Sequence, residues 1–191
     1  LEDAMARHAV AASAARRGLA QHLNLLLSDP ASALPPARLD LLCPIADALG
    51  SDPALAVEDR LRADLAANRR RDAAAGGSAV GAHRADMTLF HIPKAQADDI
   101  CSTGEQKALL VAVVLAHAAL IAAARGFAPL LLLDEATVHL DEARRAALFE
   151  TLRALPAQAF LTATDSAIFS PLAGHAEFFA AEPGILRAEA V

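Results

Sequence analysis

Residues 129–135 read Pro-Leu-Leu-Leu-Leu-Asp-Glu, an apolar run that ends in two acids. A continuous apolar run of this length predicts a buried parallel strand. The carboxyl end of such a strand is where open α/β sheets place their ligands. There Asp134 can hold Mg²⁺ through water, and Glu135 can orient or deprotonate an attacking water. Acids that only end a strand and cap the next helix are an equally weighted alternative for this motif alone.

The elements around this run alternate in type. Helical spacing of apolar residues predicts helices over residues 105–124 and 142–155. Further patterns predict strands at 87–92 and 158–164, and a terminal hairpin of 177–181 and 185–188. Strands that alternate with helices indicate an α/β fold.

The first part of the chain has a different pattern of apolar residues and prolines. Residues 5–27 and 54–75 show helical spacing, whereas the prolines of residues 30–53 permit at most short helices. Residues 76–78 (Gly-Gly-Ser) form the clearest linker. The sequence therefore predicts a helical arm over residues 1–77 and a second domain over residues 78–191.

Composition excludes several classes of protein. The 191 residues are 55% hydrophobic, which is too apolar for a disordered chain. A net charge of -6 argues against a globally basic nucleic-acid coat, and 4% aromatic residues argue against base-stacking platforms. Cys43 and Cys101 stand far apart and outside any zinc pattern, as expected for a reducing cytosol.

An apolar stretch at residues 108–124 is at the lower limit of length for a membrane span. Nearly half of it is alanine, which contributes little to insertion. A core helix that leads to a buried strand is the favoured interpretation, and we expect no membrane association.

Three further motifs carry possible chemistry. Residues 101–107 (CSTGEQK) open the long helix, where Ser102 and Glu105 form a potential capping box and the helix start can bind a phosphate. Asp141 in the His-Leu-Asp segment can cap the next helix. Residues 162–165 (TATD) end the following strand, most simply as a turn.

In this order the motifs resemble the RecF family of recombination and gap-repair ATPases. The similar segments are residues 81–86 (GAHRAD), 102–110 (STGEQKALL), 131–135 (LLLDE), 139–145 (HLDEARR), 158–165 and 177–186. The resemblance extends from about residue 61 to the end and is weaker before it. GAHRAD discriminates best, because SMC-type and transporter heads share the other motifs. The resemblance implies the C-terminal half of an ABC-type P-loop ATPase head with an N-terminal helical arm.

The resemblance also implies roles for single residues. A signature motif would bind the γ-phosphate of ATP held by the partner subunit; its residues are Ser102, Thr103, Gly104, Glu105 and Gln106. Asp134 would be the Walker B acid on the Mg²⁺ side, and Glu135 the catalytic carboxylate. Asp141 would be the D-loop acid that reaches across a dimer interface, and Thr164 occupies the switch position.

The sequence departs from the family pattern in three places. Residues 162–165 lack the histidine that transporter heads carry at the switch, and Ala82 replaces the proline that the family usually has in the GAHRAD segment. A P-loop requires GxxxxGK[ST], but Lys94 and Lys107 are the only lysines and neither fits. Because Leu1 is not Met and the P-loop is absent, we expect the C-terminal part of a longer ATPase, inactive alone.

The family resemblance implies a cytoplasmic, ATP- and Mg²⁺-dependent homodimeric clamp on duplex DNA near single-strand gaps. It also implies RecR and RecO as partners, and work in DNA repair, recombination, replication and the SOS response. Candidate phosphate contacts are Arg69, Arg70 and Arg71, with Arg16 and Arg17, although a solvated helix face is the commoner explanation. Two alternatives remain open: a fragment of an SMC-like or transporter-type head, and a non-enzymatic helical interaction module.

Overall fold

The computed structural model describes residues 1–30 and 32–189, and the chain divides into two compact units. One unit consists of Leu1–Ser28 and Ala37–Ala97, and the other of Asp29–Pro36 and Asp98–Val191. The predicted domains, 1–77 and 78–191, also contain Ala31, Ala190 and Val191, which lie outside the described residues. The two compact units are divided at residues other than the predicted domain boundary. That boundary therefore remains a prediction.

Three helices build most of the first unit: α1 (Glu2–Leu27), α2 (Pro44–Ala48) and α3 (Ala54–Ala75). The helices predicted over residues 5–27 and 54–75 are therefore confirmed. α3 ends at Gly76, whose φ of 72° is the left-handed conformation typical of a glycine after a helix. Its buried side chains pack on α1 in a core of Ala6, Ala9, Val10, Val57, Leu61 and Leu65.

The expectation of at most short helices over residues 30–53 is confirmed by the five-residue α2, but it did not include a strand. Ala37–Leu42 forms strand β1, which pairs antiparallel with β2 (Asp86–His91). The strand predicted at 87–92 is thus present, and β2 also pairs antiparallel with β3 (Gln96–Ala97). The outer edge of β1 is not left open, because the Asn24 amide donates to Leu39 O at 2.8 Å and accepts from Leu39 N at 2.7 Å.

The second unit contains α4 (Thr103–Arg125), β4 (Leu131–Leu133), α5 (Glu142–Ala154) and β5 (Ala159–Leu161). β4 and β5 pair in parallel, as the α/β order of the sequence predicts. The predicted terminal hairpin is confirmed as β6 (Phe178–Glu182) paired antiparallel with β7 (Ile185–Glu189).

Burial of β4 differs from the expectation of a fully buried strand. Leu131 and Leu133 are buried, but Leu130 and Leu132 are 57% and 72% exposed. Because side chains alternate across a strand, only one face of the β4–β5 pair is covered by the described residues. The apolar run predicted the strand correctly and its second covered face incorrectly.

α4 is long and apolar enough to cross a membrane by length and composition, with a mean hydropathy of 2.2 over its most apolar window. A third of that window is buried within the protein. The buried side chains include Ala108, Leu109 and Leu115. The helix therefore has packing partners in this fold, which the interpretation as a core helix requires.

Candidate functional site

The carboxyl ends of β4 and β5 bring the two acids beside a threonine. The parallel register pairs Leu133 with Leu161, and Thr162 N donates to Leu133 O at 3.2 Å. Asp134 and Thr162 are thus the first residues after two neighbouring strands. Both side chains are exposed, so this edge of the sheet is open to a ligand.

The hydroxyl of Thr162 contacts both acidic residues at once. Thr162 Oγ1 donates to Asp134 Oδ1 at 2.5 Å and accepts from the backbone N–H of Glu135 at 2.9 Å. The sequence pointed to residues 162–165 as a segment and assigned a role to Thr164, but none to Thr162. The signal was present in the register, because equal strand ends in a parallel pair place residues 134 and 162 side by side.

The turn after Asp134 has an unusual backbone. Glu135 and His139 have φ angles of 46° and 66°, the left-handed region that costs a non-glycine residue about 1 kcal/mol or more. Lys107 Nζ, from α4, donates to Glu135 O at 2.5 Å. Glu135 is therefore held through its backbone, and its carboxylate remains exposed.

α4 begins with the capping box that the sequence predicts. The Ser102 side chain caps the N3 position, and Ser102 N donates to Glu105 Oε2 at 3.1 Å. Glu105 is only 4% exposed, and its other carboxylate oxygen accepts from Arg144 at 3.1 Å. Of the five residues predicted to form a signature motif, Glu105 thus has a structural function within its own unit, whereas Ser102 and Thr103 are exposed.

Gly104 lies where the start of α4 meets the turn that follows the acids. A Cβ at this position would stand 2.5 Å from His139 O, closer than real Cβ atoms come to any neighbour. Glycine is therefore required here for packing within the chain. Gln106, the last signature residue, is exposed and donates to Asp98 O at 2.8 Å.

Asp141 is the N-cap of α5, as the sequence predicts. Its carboxylate accepts from Arg144 N and from the Arg144 guanidinium, each at 2.8 Å. Arg144 therefore joins Asp141, the proposed D-loop acid, to Glu105 of the signature segment. Sequence reasoning missed Arg144 and Lys107 as contacts, since their partners lie 39 and 28 residues away.

The remaining predicted residues lie apart from these contacts. Thr164 is exposed two residues beyond Thr162 and has no hydrogen bond to the acids within the described part of the chain. In α3, Arg69 forms a two-bond ion pair with Glu2 at 2.7–2.8 Å. Arg70 and Arg71 are exposed, and among residues 1–30 and 32–189 neither forms an ion pair. The three arginines are thus unequal candidates for phosphate contacts.

Asp134 and Glu135 fit Mg²⁺ only in a site to which substrate phosphates and waters also contribute ligands. No group of three His, Cys, Asp or Glu able to hold a metal occurs among the described residues. A metal caged by protein alone is therefore not supported there. Mg²⁺ commonly binds one or two carboxylates together with substrate phosphates and waters, and Asp134 beside Glu135 fits that arrangement.

No family model matches the chain. Among curated proteins, it is 45% identical over 186 residues to the DNA replication and repair protein RecF of Mesorhizobium japonicum. That alignment covers 96% of this chain and 49% of the relative. Proteins of the same name from Rhizobium etli and Agrobacterium fabrum are 46% and 45% identical, over 96% and 98% of this chain and 50% of each relative.

Two solved structures share the fold. The recombination mediator protein RecF of the RecFOR pathway, solved with ATPrS, superposes with a TM-score of 0.70 at 18% identity, over 100% of this chain and 48% of that one. Its counterpart with ATP gives 0.69 at 15% identity, over 98% of this chain and 50% of that one. The chain spans about half the length of the relatives it matches. These likenesses show that the chain shares the α/β fold of about half of each of those two structures.

Proposed function

The chain is a homologue of the RecF proteins that spans about half of their length, and on this premise we propose its function. It is the C-terminal part of an ATP-dependent DNA-binding protein of gap repair and recombination. It supplies the hydrolytic acids of its own ATP site and the signature motif of its partner's. The observation that carries the proposal is the juxtaposition of Asp134, Glu135 and Thr162 at the carboxyl edge of a parallel strand pair.

The acids divide the chemistry between them. Asp134 would hold Mg²⁺ through water, and Mg²⁺ would supply charge neutralisation for the transferred phosphoryl group. Glu135 would orient and polarise the attacking water, for which its exposed carboxylate is available. The two roles require the Asp134 and Glu135 carboxylates to have different environments. The hydrogen bond from Thr162 to the Asp134 carboxylate is one difference between them.

The signature segment would act on a nucleotide held by a second subunit. Ser102 and Thr103 are exposed at the first turn of α4, where backbone N–H groups and the helix dipole favour a phosphate. Gly104 and Glu105 would shape this turn from within. Asp141 would reach across the same dimer interface, and Thr164 would follow the state of the γ-phosphate.

The remaining assignments rest on the family. Duplex DNA near single-strand gaps is the proposed target, RecR and RecO are the proposed partners, and the cytoplasm is the proposed location. ATP-dependent homodimerisation would couple nucleotide binding to the DNA clamp. Relatives named RecF over 96% of the chain favour this proposal over an SMC-like or transporter head and over a non-enzymatic module.

Reconstitution of the site tests the proposal. We expect the chain alone neither to bind nor to hydrolyse ATP, measured by calorimetry and phosphate release. Joined to the remaining half of the Mesorhizobium japonicum relative, it should hydrolyse ATP in a Mg²⁺-dependent manner. Glu135→Gln should then lower turnover on the order of 100-fold, the effect of removing general-base assistance.

The same protein tests the in-trans arrangement. Ser102→Arg and Asp134→Asn should each be inactive, but a mixture should recover about a quarter of wild-type turnover, since half of the dimers would be mixed and each would contain one intact site. ATP binding by the isolated chain that is lost in Asp134→Asn would contradict the proposal. So would turnover of the joined protein that is insensitive to Glu135→Gln.

A further inference from the structure

We propose that Thr162 is the positioning residue for both acids, and that its hydroxyl fixes the orientation of Asp134 and of the Glu135 backbone. The inference rests on the proposed ATP hydrolysis, because positioning matters only if these acids react. It assigns to the end of β5 a function that the switch residue Thr164 cannot perform from its place two residues further on.

The hydrogen bonds define how the hydroxyl is used. A threonine hydroxyl has one donor hydrogen and two acceptor lone pairs. The backbone N–H of Glu135 can only donate, so the hydroxyl accepts from it at 2.9 Å. Its single hydrogen is then directed to Asp134 Oδ1, which lies at 2.5 Å. Serine keeps this hydroxyl, whereas valine has the shape of threonine but lacks the oxygen and can make neither bond.

The backbone of Glu135 explains why such a residue is needed. Its φ of 46° is unfavourable for a side chain with a Cβ, and such a conformation persists only where its surroundings hold it. Thr162 holds the N–H, and Lys107 Nζ holds the C=O at 2.5 Å. The peptide group before Glu135 is fixed by Thr162, and the direction of the Glu135 carboxylate depends on it.

The contact with Asp134 has a second consequence. The Thr162 hydroxyl bonds Oδ1, so this hydrogen bond restricts rotation of the Asp134 carboxylate and sets the direction in which it would meet a hydrated Mg²⁺. One side chain thus holds both the Asp134 carboxylate and the Glu135 backbone N–H in place.

Three variants separate this role from general stability. Thr162→Val keeps the shape and removes the oxygen, Thr162→Ser keeps the oxygen, and Thr151→Val removes a hydroxyl that bonds only within α5. In the chain itself, Thr162→Val should speed hydrogen exchange of the Glu135 amide about tenfold, the effect of losing one hydrogen bond. Thr162→Ser and Thr151→Val should leave that exchange rate near wild type.

Turnover of the chain joined to the remaining half of the relative gives the second readout. Thr162→Val should lower kcat by about 10- to 100-fold with little change in KM for ATP, as expected when only transition-state geometry is lost. Thr162→Ser should recover most of kcat. If Thr162→Val leaves both exchange and kcat unchanged while Glu135→Gln lowers turnover as predicted, the inference is wrong and the proposed function stands. If the joined wild-type protein has no Glu135-dependent turnover, the proposed function fails and the inference fails with it.

Discussion

At the scale of single residues, Gly104 combines a structural requirement with a predicted functional one. A Cβ there would lie 2.5 Å from the carbonyl oxygen of His139, and a backbone atom cannot move aside as a flexible side chain can. We expect Gly104→Ala to lower the free energy of unfolding by about 1–3 kcal/mol, the usual cost of overpacking. Denaturant titration of the chain measures this value.

Gly18 provides a matched control for that substitution. It also lies in a helix, α1, and a Cβ added there would have nothing within 4 Å. Gly18→Ala should stabilise the chain by about 0.5–1 kcal/mol, because alanine loses less backbone entropy in a helix. Equal effects of the two substitutions would contradict the close approach of α4 to the turn at His139.

At the scale of elements, Arg144 joins the beginning of α4 to the beginning of α5. Its guanidinium bonds Glu105 at 3.1 Å and Asp141 at 2.8 Å, and the side chain of Glu105 is only 6% exposed. Arg144→Ala should destabilise the chain by about 2 kcal/mol, which is below the cost of breaking a fully buried pair because Arg144 is 27% exposed. Thermal or denaturant unfolding measures the loss.

An exposed pair on α1 is the control for this prediction. Arg7 and Asp3 lie at 2.7 Å with side chains 63% and 56% exposed. Arg7→Ala should cost about 0–1 kcal/mol, as surface ion pairs do. If Arg144→Ala is no more harmful than Arg7→Ala, the link between the signature segment and α5 contributes nothing to stability.

The ion pairs between α1 and α3 predict a dependence of stability on pH. A hydrogen bond from Arg7, together with the charge of Arg62, lowers the pKa of Asp3 below its ordinary value of 3.8. A lowered pKa in the folded state means that the contribution is complete above pH 3.8 and is lost as the pH falls through the lowered value. Asp3→Asn should therefore be less stable than wild type at neutral pH, with a difference that shrinks in acid.

Measurement of unfolding between pH 2 and 7 checks this prediction. Because Asp3 is exposed, about 1 M salt should reduce the difference between Asp3→Asn and wild type by screening. A difference that grows on acidification would show that another group dominates.

Comparison of particular elements shows how far the sequence determines this fold. Helical spacing located α3 to the residue, and the Ser102 and Asp141 caps were correctly placed, because these signals are local. β1 was missed because prolines dominate its neighbourhood. Its alternation of buried Ala37 and Leu39 with exposed Arg38 is readable, but its partner lies about 50 residues away.

In the candidate site, too, some residues are predictable from adjacent sequence and others are not. Asp134 and Glu135 were predicted from their place after an apolar run, which is information carried by adjacent residues. Thr162 and Lys107 could not be assigned because their contacts with the acids depend on the register of β5 and on where α4 packs. Glu105 was predicted to face a nucleotide. It is buried and paired with Arg144, 39 residues later, a contact that adjacent residues do not reveal.

At the scale of the whole molecule, the parallel strand pair has one uncovered apolar face. Leu132 and Phe160 are cross-strand partners, 72% and 52% exposed. The relatives are about twice as long as this chain, and we expect their additional length to include a cover for this face. Alone, the chain should associate with itself as its concentration rises, since exposed apolar strands favour edge and face pairing.

Sedimentation of the chain across a range of micromolar concentrations measures this association. The double substitution Leu132→Ser and Phe160→Ser should shift the chain toward monomer. It removes the two neighbouring apolar side chains from the exposed face of the strand pair. Leu25→Ser is the control: Leu25 is 71% exposed on α1 and is not part of the β4–β5 pair, and its loss should not change the association. If the double variant associates as strongly as wild type, the uncovered sheet face is not the surface through which the chains associate. The expectation that a further segment covers this face is then unsupported.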